Sequence, residues 1–342
     1  MAQGISPSSG NHSKGVRYNR FVWLQRSVLL KKVHGGRNLE VDGHTSKRQC
    51  YCDLCGPQFI GKLYRHCSGF DLLRCKRCHL IWTDPLKADS KKPVSEGKKL
   101  SGDWADYVYR SNAEFQKKRF SRQLDMFLKN YETTLTLESL KILEVGSGLG
   151  FFLDICVDLG MNVEGCDTSA RSVAFANREQ KRCKHGTLDA HYQTGVFDAV
   201  FAFNVIEHVQ HPKEFLLEAW RVIKRGGMLV LETPVVESLF HGLASLGYVL
   251  STGRLEWFGL KPGGHMYKFS KKTFEVICKD IGFQVVYKKN IESPFEELIG
   301  KNRIMPPLGR YGFIYNFVLP IVWPIARMTG TGNRIFLIMK KM

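Results

Sequence analysis

The sequence predicts a doubly wound α/β domain, a mostly parallel seven-stranded sheet with helices on both faces, preceded by a small metal-stapled module. Three observations carry that expectation. From about Leu100 onward, short apolar runs alternate with amphipathic stretches. A glycine-rich turn, "GSGLG", follows the first of those runs. Near the N-terminus, four cysteines stand as two C-x2-C pairs. Alternation of this kind gives parallel strands joined by crossover helices.

Composition sets the frame for these elements. The chain has 342 residues, 44% of them apolar, enough for one large core and a smaller module. Its formal charge is +18, and residues 1–100 hold 19 Lys/Arg against 7 Asp/Glu, so most of the excess lies in the first third. Such a balance favours acidic partners: nucleic acid, phosphorylated small molecules or an anionic membrane surface. Ten cysteines are too sparse for a disulfide scaffold.

Residues 1–48 read as a basic, disordered extension. They show no apolar core or cleavage pattern of a secretory signal, which points to a cytoplasmic protein. The first 39 residues also lack Asp and Glu, and "RYNRFVWLQRSVLLKK" resembles a mitochondrial transit peptide; a flexible basic tail accounts for the same residues. Residues 49–85 form the cysteine module. The charged stretch "DPLKADSKKPVSEGKK" marks a linker over 86–104. Residues 105–342 make the main domain, with insertions at 234–265 and 291–333.

In chain order, Phe115, Phe120, Leu124, Phe127 and Leu128 have helical spacing. "KILEV", "NVEGC", "DAVFAF" and "MLVLET" are short buried strands. "PKEFLLEAWRVIKRGG" is a helix started by Pro212 and stopped by Gly226 and Gly227. "GFQVVYKK" and "NRIFLIMKK" close the pattern as strands. The apolar run Gly312 to Ala326 has 15 residues and two prolines, short of the ~20 that a spanning helix needs. It suits peripheral contact with a membrane or lipidic acceptor, or an ordinary covering helix.

In a doubly wound sheet, the first strand-to-helix turn meets its ligand with backbone N–H groups and a helix N-terminus. Gly146, Gly148 and Gly150 fit such a turn, and a bare tight turn would use the same glycines. Asp167 ends the next strand, where a carboxylate can accept both hydroxyls of a ribose; it can also cap the following helix.

"LEVGSGLGFFL", "VEGCDTSARSVAFA", "GVFDAVFAFNVIEHVQHPKEFLLEAWRVIKRGGMLVLETP" and "HMYKFSKKTFEVICKDIGF", in this order and spacing, resemble the class I S-adenosylmethionine-dependent methyltransferases. The resemblance covers roughly residues 105–342. It implies that Glu144 and the turn of Gly146, Ser147, Gly148 and Gly150 hold the methionine end of S-adenosylmethionine. Asp167 and Thr168 would take the ribose, Leu188 would flank the adenine, and Asn204 would face the cofactor where relatives often carry an acid. Some quinone and RNA-end members bind a divalent metal with a Glu-His pair after the fourth strand and a second Glu three residues earlier. Here Glu207 and His208 are present, but Asn204 replaces the second Glu, which weighs against a metal. His208 then reads as a base or acceptor-orienting group, or as a structural histidine. His265, with Tyr267 nearby, matches a recurrent position at the cleft; a loop-to-helix cap fits it as well.

Cys52, Cys55, Cys75 and Cys78 have the spacing of a closed four-thiolate zinc site, whose role is structural. Cys50 and Cys67 are left as spare thiols. "CDLCG…LLRCKRCHLIWTDP" also resembles the zinc ribbon found ahead of many bacterial methyltransferase domains, with His79 where such ribbons often have Gly. The expected function is methyl transfer to a small molecule: a sugar nucleotide, a lipid-linked glycan or a quinone-like ring. The alternative is an RNA or protein methyltransferase guided by the basic ribbon.

Overall fold

A computed structural model of the chain describes residues 50–67, 70–84, 102–131, 135–179, 181–251, 265–293 and 312–342. The expectations for residues 1–48, for most of the linker and for parts of both insertions lie outside these. The cysteine module begins with an antiparallel pair, β1 (Tyr51–Cys52) and β2 (Gly56–Ile60), followed by a meander of β3 (Lys62–Cys67), β4 (Phe70–Arg74) and β5 (Ile81–Thr83). Its small core is Leu54, Leu73, Leu80 and Trp82 packed around the buried cysteines.

Helix α1 (Gly102–Leu128) opens the main domain and starts within the stretch expected to be linker. It buries Phe120, Leu124 and Phe127 of the five apolar positions read from the sequence, and leaves Phe115 and Leu128 half-buried. The alternation follows: β6 (Lys141–Val145), α2 (Phe151–Asp158), β7 (Asn162–Asp167), α3 (Ala170–Arg178), β8 (Cys183–His185), α4 (Leu188–His191), β9 (Phe197–Phe203), α5 (Pro212–Val222) and β10 (Ile223–Pro234). Then come α6 (Leu239–Leu250), the two-residue β11 (Tyr267–Lys268), α7 (Lys271–Ile281), β12 (Phe283–Ile291), α8 (Gly312–Thr329) and β13 (Arg334–Lys341).

The large sheet has the order β12-β13-β10-β9-β6-β7-β8, and only β13 runs against the rest. All seven residues of β9 are buried, as expected of a central parallel strand covered on both faces. Phe201 and Phe203 pack with Phe152 beneath α1. The chain runs outward through β7 and β8, then returns to place β9 on the other side of β6. That reversal opens a crevice at the carboxyl ends of β6 and β9, where such sheets bind ligands.

One helix end differs from expectation. Helix α5 stops at Val222, and Ile223 already pairs with Phe197 in the sheet. Gly226 (φ 79°) and Gly227 therefore lie at an irregularity of β10 rather than beyond a helix.

The ribbon is joined to the sheet domain. Strand β11 pairs with β5, extending the ribbon meander to four strands. The carbonyl of Cys78 accepts hydrogen bonds from Ser270 Oγ and Thr273 Oγ1, which together form the capping box of α7. Arg77 forms a bidentate pair with Asp280 at 2.5 and 2.8 Å.

Candidate active site at the carboxyl edge of the sheet

The glycine turn caps β6. Gly146 (φ 71°) and Gly148 (φ 54°) occupy the left-handed region, which disfavours any side chain. A Cβ on Gly146 would also lie 2.5 Å from Val205 Cγ2, so the segment carrying Glu207 and His208 packs directly on the turn. At Gly148 a Cβ would meet nothing within 4 Å. That is the open cradle a bound ligand would fill. The Ser147 side chain turns inward, 3.1 Å from Cys183 Sγ, leaving only its backbone toward the cradle.

Two acids flank the turn. Glu144 is 3% exposed and its Oε2 has no hydrogen-bond partner. Burial, then the Asp167 charge, lifts its carboxyl well above the usual carboxylate range. A buried carboxyl with one unpartnered oxygen beside an open cradle suits the ammonium of an amino acid, whose charge would return it to the ionised form. Asp167 accepts from the N–H groups of Gly148 (2.9 Å) and Ser169 (2.7 Å). Each carboxylate oxygen keeps a lone pair for a hydroxyl donor. The cap of α3 is Ser169, whose Oγ accepts from Ser172 N; Asp167 is not that cap. Thr168 beside it is exposed, and Leu188 is buried in the core with Cys166 and Tyr192.

Lys181 is a contributor that sequence reasoning missed. It is 5% exposed, donates to Leu149 O at 3.1 Å inside the glycine turn, and pairs with Asp154 at 3.0 Å. Tyr109 donates to the same Asp154 at 2.5 Å, and α1 is thereby tied to the turn. Lys181 lies in a basic run that reads as solvated surface, so nothing local marks it.

Across the crevice, Asn204 takes φ 55°, a strained region that Asn tolerates best after Gly, and donates its N–H to Glu232 O. The turn it starts presents Glu207 and His208. Glu207 is 1% exposed; its Oε2 accepts from Thr233 Oγ1 at 2.8 Å, and Oε1 has no partner. Burial pushes its carboxyl up. His265 arrives from far along the chain because Met266 N donates to Glu207 O at 2.9 Å. The His208 and His265 rings then meet edge to face with centroids 4.8 Å apart. Burial, then the neighbouring His208, lowers His265 to about 4, so its imidazole is neutral at pH 7. Donor atoms of Glu207, His208 and His265 all lie within 4.8 Å of one another. One carboxylate and two imidazoles also suit a borderline divalent ion. Tyr267, expected beside His265, instead donates its hydroxyl to Gln210 O at 2.7 Å and braces the same turn.

The ribbon shapes this edge as well. Asp53, from the first cysteine knuckle, accepts from Lys213 N at 2.9 Å and lies 3.3 Å from His211 Nδ1. It supplies the cap that His211 does not give α5. The sulfur atoms of Cys52, Cys55, Cys75 and Cys78 gather within 4.8 Å, all buried as free thiols. Cys52 and Cys78 are 3.6 Å apart, against an edge of about 3.8 Å for a tetrahedron with bonds of about 2.3 Å. Within the cluster, hydrogen bonds from Cys52 and Cys78 lower the Cys55 thiol while Cys52 and Cys78 are themselves raised, so the cluster shares its protons and Cys55 ionises first. Cys50 is half-buried and outside the cluster, and the Cys67 side chain lies outside the described residues. His79 sits at φ 63°, which explains why glycine suits that place after the last cysteine.

Comparison with known proteins bears on the whole edge. A family model for a methyltransferase domain matches residues 109–288. The ubiquinone biosynthesis O-methyltransferase of Bradyrhizobium sp. (strain ORS 278) is 30% identical over 183 residues, 50% of this chain and 69% of that protein. The mitochondrial ubiquinone biosynthesis O-methyltransferase of Schizosaccharomyces pombe is 27% identical over 122 residues, 33% of this chain and 44% of that protein, so the chain spans under half of that relative. A solved SAM-dependent methyltransferase from Archaeoglobus fulgidus is 16% identical with a TM-score of 0.44, covering 67% of this chain and 94% of that chain. The family match starts within α1 and ends within β12, taking in the glycine turn, Asp167 and the Glu207 cluster. This chain therefore belongs to the methyltransferase-domain family and is an S-adenosylmethionine-dependent methyltransferase.

Proposed function

We propose that the protein methylates a hydroxyl of a small-molecule acceptor held at Glu207, His208 and His265, and that the four-cysteine cluster holds a structural zinc. The observation that carries the first reading is the packing of Val205 on Gly146, which sets a carboxyl and two imidazoles beside the glycine turn. When bound, S-adenosylmethionine supplies an electrophilic methyl carbon on sulfur, and catalysis then rests mainly on alignment and exclusion of water.

On this reading Glu144 receives the amino group of the methionine moiety and Asp167 the ribose hydroxyls. His208 is exposed toward the crevice and takes the acceptor proton as the new carbon–oxygen bond forms and the carbon–sulfur bond breaks, its electron pair staying on sulfur. His265, neutral and half-buried, orients the acceptor. Were the trio to hold a divalent ion instead, His208 would be a ligand rather than the base, and the ion would lower the pKa of an acceptor hydroxyl. The relatives named for ubiquinone biosynthesis favour a hydroxylated ring over a sugar nucleotide or glycan. Two cations of the ribbon, Arg65 and Arg77, turn onto Tyr248 and Asp280 of the sheet domain, which argues against RNA guidance.

The test is methyl transfer from labelled S-adenosylmethionine to dihydroxylated aromatic rings, sugar nucleotides and total RNA in parallel. Label in a ring ether is the expected result. Label confined to RNA would contradict the proposal.

A further inference from the structure

On the other face of β10 the molecule carries a second cleft. Glu232 and Thr233 are consecutive strand residues and point to opposite faces. Thr233 reaches Glu207, while Glu232 lies beneath a cleft of about 590 Å³ between α1, the end of β12 and α8. That volume is typical of small-molecule sites.

The lining is strongly basic. Lys118, Arg119, Arg122, Lys289 and Arg327 face it, against one carboxylate, Glu292. Arg119 is committed below, pairing with Glu232 at 2.8 Å while Arg334 holds the same carboxylate at 2.9 Å. Lys118, Arg122 and Lys289 form no ion pair among the described residues. Cations crowded into a concavity repel one another, and an anion relieves that repulsion. The walls between them are apolar: Phe115, Met126, Ile291 and Trp323. At the base, Gln123 is 2% exposed, donates its amide nitrogen to Glu232, and leaves its carbonyl oxygen buried without a donor. An occupant that offers negative charge and an apolar body matches this lining.

We propose that this cleft binds the phosphate group of an amphiphile, its oxygens on Arg122, Lys289 and Arg327 and its apolar body against Trp323 and Phe115. Guanidinium groups take phosphate oxygens in bidentate fashion, and a phosphate can satisfy several of them at once. A volume of about 590 Å³ accommodates one headgroup and its neighbouring chain, which favours a small amphiphile over a nucleic-acid strand. Exposed Ile321, Ile325 and Met328 continue the apolar surface along the outer side of α8.

The test titrates the full chain with dodecyl phosphate below its micellar concentration, with inorganic phosphate, and with phosphatidylcholine vesicles with and without phosphatidic acid. Dodecyl maltoside serves as the uncharged control. The variants are Arg122→Glu with Lys289→Glu, both exposed positions, and Trp323→Phe. S-adenosylhomocysteine binding checks that each variant is folded.

Saturable binding of dodecyl phosphate, weakened at least about tenfold by the charge reversal, supports the proposal with a free phosphorylated ligand as source. Binding seen only with phosphatidic acid vesicles, and lost in the same variant, supports it with a lipid headgroup as source. A change in tryptophan fluorescence on binding that Trp323→Phe removes places the ligand in this cleft. The proposal is overturned if nothing binds, if the charge-reversed chain binds as well as wild type, if dodecyl maltoside binds equally, or if oligoribonucleotides bind more tightly than dodecyl phosphate.

Discussion

The ribbon cysteines and the Glu207–His208–His265 trio each gather their donor atoms within 4.8 Å, yet they are finished differently. The four thiols are all buried and converge on one point, so an ion among them would have no open position. The edge trio is partly open: His208 is exposed, Glu207 keeps an unpartnered oxygen, and one side faces the crevice. A closed cluster holds structure, and an open one can meet a substrate. The two are also linked. Asp53 caps the helix after His208, and β5 pairs with the strand after His265, so the ribbon holds both ends of the open cluster.

Breaking the ribbon is the largest perturbation. A structural zinc contributes on the order of 10 kcal/mol to a small site. If the cluster holds the proposed zinc, Cys75→Ser is expected to abolish zinc binding, lower the melting temperature steeply and abolish methyl transfer, read by metal analysis, calorimetry and turnover. A metal-free variant with full turnover would separate the two clusters. Next in size, His208→Ala is expected to lower kcat by about 10²–10⁴-fold, the usual contribution of a positioned base, with S-adenosylmethionine affinity retained.

A smaller change probes the link itself. Asp53→Ala removes a helix cap, a cost of about 1 kcal/mol, and is expected to lower kcat while leaving the metal content intact. Unchanged turnover would reduce the ribbon to a passive neighbour. A pH effect comes from the same interface. His241 on α6 is half-buried, with its Nε2 enclosed and unpartnered; burial, then the charges of Lys268 and Arg65, lowers it to about 4. Between about 6.5 and 4 the unfolded chain binds the extra proton, so stability present above pH 6.5 declines as pH falls toward 4. His241→Gln is expected to flatten that part of the melting-temperature profile.

Much of this was legible in the chain. Each cysteine knuckle needs only a local turn, so spacing alone finds the donors. Glu144, Gly146 and Asp167 end strands whose alternation with helices is visible without tertiary information. His265 is a different case: its approach to His208 depends on β11 pairing with a strand of another module, and no local pattern records that. Lys181 and the Arg119–Glu232–Arg334 network were hidden for the same reason, because each joins elements distant in sequence. The early end of α5 reflects competition that propensity does not settle. Ile223 gains a place beside Phe197 in the sheet, and the glycines after it absorb the irregularity.

The central claim is that the glycine turn, with Glu144 and Asp167, seats S-adenosylmethionine beside the open cluster. Calorimetric titration with S-adenosylmethionine and S-adenosylhomocysteine, on wild type and Asp167→Ala, tests it most directly. One site per wild-type chain is expected, with at least about tenfold weaker binding in the variant from the loss of charged hydrogen bonds to the ribose. Equal binding by both proteins, or none by wild type, would contradict it.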